Sequence, residues 1–255
     1  MRHPRLFCDP LQPGVVRLSK EEAHHGARVL RLRKGHAVEL FDGKGRVSPA
    51  EVLRIREGDL ELQAGEPTRM PFECRVRLTL AVAMTKAHRQ GYLIEKCTEL
   101  GVAVIQPLET ERSVVRPGDG AVEKWRRRAI EAAKQARRAW VPVIEPVRSL
   151  PRVVEEFGRY DRVLTADARG DGAPLSRHLC ETENGASVLV LIGPEGGWSD
   201  AERTLVAQAG AQWIRLAPTV LRTETACAAV CAAVAEDAVT RQGGGASGRS
   251  GVPTS

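Results

Sequence analysis

Hydrophobic and polar positions follow two different periods along this chain. The stretch "VVRLSKEEAHHGARVLRLRKG" predicts a short helix with Ser19 as its cap and Glu22 three positions on, the spacing of a capping box. After it, "HAVELF", "RVSPAEVLRIR" and "LELQ" carry short apolar and polar alternations separated by "DGKG" and "EGD". That pattern predicts two tight hairpins in succession, hence a compact barrel of short antiparallel strands over residues 1–70. "AGEPTRMPFE", residues 64–73, holds two prolines and a glycine and reads as a linker.

From Arg75 the apolar runs become continuous. "VRLTLAVAM", "VAVIQPLE", "RVLTAD", "SVLVLIG" and "AQWIRLA" predict buried strands. Between them stand helical stretches, among them "HRQGYLIEKCTELG", ending at Gly101, and "AVEKWRRRAIEAAKQARRAW". Strands alternating with helices imply an α/β domain over 75–241, with a parallel sheet covered on both faces. The last helix, "TACAAVCAAVAEDAVT", carries Ala, Cys and Val on its apolar side, and a face of small side chains suits close packing within a subunit or between subunits. Residues 242–255, "QGGGASGRSGVPTS", are expected to be a disordered Gly/Ser tail.

Charge adds a partner to this picture. The 255 residues carry 38 Lys and Arg against 32 Asp and Glu, a formal +6, which favours a polyanion and above all a nucleic acid. The candidate RNA contacts in the first domain are Arg5, Arg17, Arg28, Arg31 and Arg33; a merely solvated basic face is the alternative. No signal-peptide core or membrane-spanning run is present, so a cytoplasmic location without membrane contact is expected. Six cysteines, Cys8, Cys74, Cys97, Cys180, Cys227 and Cys231, form no C-x-x-C pair and read as reduced thiols. Cys227 and Cys231 lie four apart among alanines, as small core residues do, and no metal is expected.

Ligands of open parallel sheets collect beyond the carboxyl ends of the strands. Two loops qualify: Gly193 to Trp198, and Pro218 to Thr225. The first belongs to "LIGPEGGWSDAE", a glycine loop followed by a second capping box, Ser199 with Glu202. Its central Glu195 argues against a phosphate ligand, since two anions at close range repel. The spacing also misses both common phosphate-loop motifs. A ligand with ribose hydroxyls and a cationic centre, such as S-adenosylmethionine, would suit the carboxylate; so would a neighbouring arginine. In the second loop Thr223 or Thr225 could cap the final helix and Glu224 could oppose its dipole. Arg222 needs an anion beside it, because a cation is unfavourable at a helix N-terminus.

"LIGPEGGWSDAE" together with "LAPTVLRTETACAA" resembles the motif pair of the SPOUT methyltransferases. From "RHPRLF" through "RVLRLRKGHAVELFDGKG" and "EKCTELGV" to "VLRTETA", the chain is similar to the RsmE-type family, which methylates N3 of a uridine in 16S ribosomal RNA. The resemblance implies a PUA-like N-terminal barrel, a trefoil-knotted C-terminal sheet, S-adenosylmethionine held in the knot, and a homodimer acting on RNA of the small subunit. The expected cofactor contacts are Leu164, Thr165, Ile192, Gly193, Pro194, Glu195, Gly196, Gly197, Leu216, Leu221, Thr223, Thr225 and Ala226, and Lys86 joins the candidate RNA contacts. Arg222 is the expected catalytic cation, with Arg5 second by resemblance. Glu224 could be a general base, orient Arg222 or cap the helix. Three places depart from the family pattern: Leu216-Ala217-Pro218-Thr219 for Leu-Gly-x-Arg, Lys86-Ala87-His88 for Lys-Gly-acidic, and Lys134-Gln135-Ala136 for Glu-Gln-Ser/Cys. The competing functions are methylation of another ribosomal or transfer RNA position, and an RNA-binding assembly factor that has lost turnover. A nucleotide-dependent oxidoreductase ranks last, for want of a phosphate fingerprint.

Overall fold

The computed structural model describes residues 3–56, 58–167 and 172–244. Internal contacts divide the chain into two units, Met1–Phe72 with Ala129–Val141, and Glu73–Arg128 with Pro142–Ser255.

The first unit contains β1 (Arg5–Phe7), β2 (Gly14–Arg17), α1 (Lys20–His24), β3 (Ala37–Phe41), β4 (Arg46–Arg56), β5 (Asp59–Ala64) and β6 (Thr68–Arg69). The two expected hairpins are β3–β4 and β4–β5, both antiparallel. Hydrogen bonding runs β1-β3-β4-β5-β2, with β6 on β4, so β1 and β2 end the path. Leu6, Leu11, Val38, Leu40, Val52, Leu60 and Leu62 fill its core. β6 lies inside the stretch expected to be a linker, where Thr68 and Arg69 pair with Val47 and Arg46.

Ser19 caps α1 by accepting the Glu22 N–H at 3.2 Å, but the box stays half made. The Glu22 carboxylate turns elsewhere: Oε2 accepts the Phe7 N–H at 3.0 Å, and Oε1 accepts Lys134 Nζ at 2.6 Å. Lys134 comes from the segment Ala129–Val141, which no change of composition marks as part of this unit. Arg137 of the same segment pairs with Glu39 at 3.1 Å. The charge reversal at Lys134 thus has a local partner, Glu22.

The second unit begins with β7 (Arg77–Ala83), α2 (Ala87–Glu99), β8 (Val104–Glu109) and α3 (Ala121–Ala136), the helix that continues into the first unit. It goes on through β9 (Val143–Ile144), β10 (Arg148–Ser149), α4 (Leu150–Val154), β11 (Arg162–Ala166), β12 (Ala173–Pro174) and α5 (Leu175–Cys180). It closes with β13 (Ser187–Ile192), α6 (Asp200–Gln208), β14 (Gln212–Arg215) and α7 (Thr223–Gly244). All eight strands pair in parallel, in the order β10-β8-β7-β13-β11-β14-β12 with β9 on β8. Parallel strands need both faces covered, which is why every residue of β7 and β13 after the first is buried. α3 ends at Ala136 rather than reaching Trp140, because Arg137 adopts φ +56°. α7 runs two residues beyond the start of the expected tail, to Gly244; residues 245–255 lie outside the described residues. Its small residues Cys227, Val230, Cys231 and Val234 are buried, and the helix packs on α2, α5 and β7 within the unit. Burial pushes the Cys227 and Cys231 thiols up, consistent with inert core residues.

Candidate active site

Register sets the site. Val82 pairs with Ile192, Ile192 with Ala166, and Ala166 with Ile214, so β7, β13, β11 and β14 end at one edge of the sheet. Leu164, Thr165 and Ile192 are buried just before that edge. Beyond it, hydrogen bonds tie the loops together. Thr223 Oγ1 donates to the Gly193 carbonyl at 3.3 Å, and Trp198 Nε1 donates to the Ala166 carbonyl at 3.0 Å. Arg112 Nη1 donates to the Gly196 carbonyl at 3.0 Å. Leu216 follows β14 directly, Leu221 and Arg222 precede α7, and Thr225 and Ala226 lie in its first turn.

The glycine loop is followed by a complete capping box. Ser199 Oγ accepts the Glu202 N–H at 3.2 Å, and Glu202 Oε2 accepts the Ser199 N–H at 2.9 Å. Glu202 Oε1 also accepts the Glu111 N–H at 2.8 Å, so both oxygens are engaged. Within the loop, the protein itself crowds Gly193: a Cβ there would stand 2.9 Å from the Trp198 ring. A Cβ on Gly196 would meet only Arg112, at 3.4 Å, and Pro194 and Gly197 are half-buried.

Glu195 is ion-paired with Arg89, in the first turn of α2. Arg89 Nε also stands 3.5 Å from Glu224 Oε1. Arg89 is not among the candidates drawn from the sequence, although the signal was available: a cation at a helix N-terminus calls for an anion, the same electrostatics that singled out Arg222. Glu224 is 8% exposed, and its second oxygen, Oε2, is buried without a hydrogen-bond donor among the described residues. Thr85 Oγ1, just after β7, and Thr165 Oγ1, in β11, are likewise buried without hydrogen-bond partners among the described residues. Glu224 pairs with Arg89 and not with Arg222. The Arg222 side chain is exposed, with no carboxylate paired to it among the described residues. Its carbonyl accepts the Ala226 N–H at 2.8 Å and opens α7, while the Thr223 hydroxyl serves Gly193 instead of capping the helix.

The remaining candidates belong to the first unit, apart from Lys86, exposed at the N-cap of α2. Arg28, Arg31 and Arg33 are exposed, and Arg17 is exposed but bound to Glu61 at 2.7 Å. Arg5 differs from these. It is 8% exposed, paired with Glu39 at 2.8 Å and stacked 4.9 Å from the Phe41 ring centre.

The family follows from the whole chain. A model of the RNA methyltransferase domain matches residues 72–235, and one of the RNA methyltransferase PUA domain matches residues 18–64. The ribosomal RNA small subunit methyltransferase E of Synechocystis is 33% identical over 227 residues, covering 87% of this chain and 74% of its own. The chain belongs to the ribosomal RNA small subunit methyltransferase E family. The Bacillus subtilis protein of that name is 28% identical over 217 residues, covering 82% of this chain and 85% of its own. A crystal structure of a ribosomal RNA small subunit methyltransferase E from Neisseria gonorrhoeae, bound to S-adenosyl methionine, matches with a TM-score of 0.82 at 29% identity. That match covers 91% of this chain and 96% of the other. The expected family and PUA-like first domain therefore stand. Among the described residues no helix is long and apolar enough to cross a membrane, and no group of three or more His, Cys, Asp or Glu is placed to hold a metal.

Proposed function

We propose that this chain transfers the methyl group of S-adenosylmethionine to N3 of a uridine in 16S ribosomal RNA, working as a homodimer. One observation carries the site assignment: a buried carboxylate, Glu224, keeps an oxygen without a donor at the strand ends, beside a glycine loop suited to a ligand without phosphate. The unpartnered hydroxyls of Thr85 and Thr165 fit the same demand for a polar ligand. When bound, the cofactor supplies a methyl group activated on a sulfonium.

This chain's own residues do the rest. Leu164, Thr165, Ile192, the loop from Gly193 to Gly197, Leu216, Leu221, Thr223, Thr225 and Ala226 would hold the cofactor. Uridine N3 keeps its proton well above neutral pH, so transfer needs a proton acceptor and a cation near the flanking carbonyl oxygens. Glu224 takes the first role and Arg222, exposed and paired with no carboxylate among the described residues, the second. Arg5, already engaged by Glu39 and Phe41, holds the β1–β3 edge of its unit. Arg28, Arg31, Arg33 and Lys86 offer exposed charge to phosphates. The trefoil knot belongs to the same proposal.

Mass spectrometry of ribosomal RNA from cells with and without the gene tests it. Loss of 3-methyluridine from small-subunit RNA is the expected result. Loss of a different methylated nucleoside would move the target, and unchanged RNA modification would favour an assembly factor.

A further inference from the structure

We propose that Arg89 is a positioning residue of the methyl-transfer site: it holds Glu224 by one oxygen and leaves the other, Oε2, open to take the proton of the target N–H. This role rests on the methyltransferase function proposed above. Three observations carry it. Arg89 bridges two carboxylates, meeting Glu195 of the glycine loop directly and standing 3.5 Å from Oε1 of Glu224, in the first turn of α7. Glu224 Oε2 is buried and meets no hydrogen-bond donor among the described residues. The Arg89 side chain is itself only 23% exposed, so protein surroundings hold its guanidinium in place.

A carboxylate that serves only the fold has both oxygens occupied, because a buried acceptor without a donor is destabilising. Arg89 removes half of that need at Glu224 and not the other half. The planar fork of a guanidinium suits this task, since it can address two carboxylates at fixed angles; a lysine ammonium is a single point charge on a flexible stem. Glu195 then has a defined part. It anchors Arg89 from the far side, and this explains a carboxylate within a glycine loop.

The chemical step balances with these groups. Glu224 accepts the proton from N3, the freed nitrogen pair forms the bond to the methyl carbon, and the electrons of the broken carbon–sulfur bond stay on sulfur. Glu224 returns its proton to water afterwards. The charged or titratable groups about Glu224 are Arg89 from α2, Glu195 beyond it from the loop after β13, and Arg222 and Cys227 of its own segment.

The test is a double-mutant cycle on single-turnover methyl transfer to small-subunit RNA, with Arg89→Lys, Glu224→Gln and the pair. Arg89→Lys should lower the rate by about tenfold or more, the scale of a misplaced general base. In the Glu224→Gln background the same change should do almost nothing. A melting temperature for each variant, together with cofactor affinity by calorimetry, separates loss of fold or binding from loss of the step. Wild-type rates in Arg89→Lys, or the same loss with and without Glu224, would overturn the positioning role. A wild-type protein that transfers no methyl group to any small-subunit RNA would instead overturn the function on which it rests.

Discussion

Glu22 and Glu224 are both buried glutamates in the first turn of a helix, one in each unit, and their surroundings differ in one respect. Glu22 has a backbone N–H on one oxygen and the Lys134 ammonium on the other. Glu224 has Arg89 on one oxygen and, among the described residues, no hydrogen-bond donor on the other. Glu202 behaves like Glu22, with the Ser199 and Glu111 N–H groups on its two oxygens. Burying a carboxylate is costly, and a protein that keeps one for its fold satisfies it. The unsatisfied one stands at the carboxyl edge of a parallel sheet, where ligands bind. Completeness of partners therefore separates Glu22 and Glu202 from Glu224, the proposed proton acceptor, where sequence does not, since all three sit in the first turn of a helix.

The largest expected effect lies on the satisfied side. Lys134→Ala leaves Glu22 buried with its main counter-charge gone, and should cost about 3–5 kcal/mol of folding stability. Urea denaturation reads it; a loss below about 1 kcal/mol would mean that Glu22 gains little from its lysine. Asp42 is a second satisfied acid of the first unit, with a side chain fully buried. Burial raises its carboxyl, but hydrogen bonds from the Arg46 and Lys44 N–H groups and the Arg46 guanidinium more than reverse this and hold it below the usual carboxylate range. A folded value below the unfolded one gives stability that is present above about pH 4 and lost as pH falls through the folded value. Asp42→Asn should cost about 2 kcal/mol at neutral pH. It should also flatten that acid dependence, as denaturation at a series of pH values would show. The smallest effect concerns the capping box after the glycine loop. Ser199→Ala should cost about 1 kcal/mol, read from the melting temperature, because one cap hydrogen bond is lost.

How much of this was legible in the sequence depends on range. Hairpins β3–β4 and β4–β5, the parallel strands and the Ser199 box follow from periodicity and local spacing, and they stand as expected. The loops at the strand ends were legible too, because strand polarity alone places them. Contacts between distant segments were not. Glu22 had the spacing of a capping box, yet its carboxylate left the helix for Lys134, 112 positions away. The same distance in sequence hid the membership of Ala129–Val141 in the first unit, and hid the answer to Glu195, which waits on Arg89, 106 positions earlier. Arg5 shows the converse. Sequence marked it as a cation, but only the fold reveals its burial and its pairing with Glu39.

The most direct measurement is a pair of neutral replacements, Glu22→Gln and Glu224→Gln, each assayed for melting temperature and for single-turnover methyl transfer to small-subunit RNA. Glu22→Gln should lower the melting temperature while the folded fraction transfers at the wild-type rate. Glu224→Gln should leave the melting temperature unchanged or raised and slow transfer by about a hundredfold or more. Wild-type transfer by Glu224→Gln, or a loss of stability as large as that of Glu22→Gln, would contradict the division of the buried acids into structural and functional.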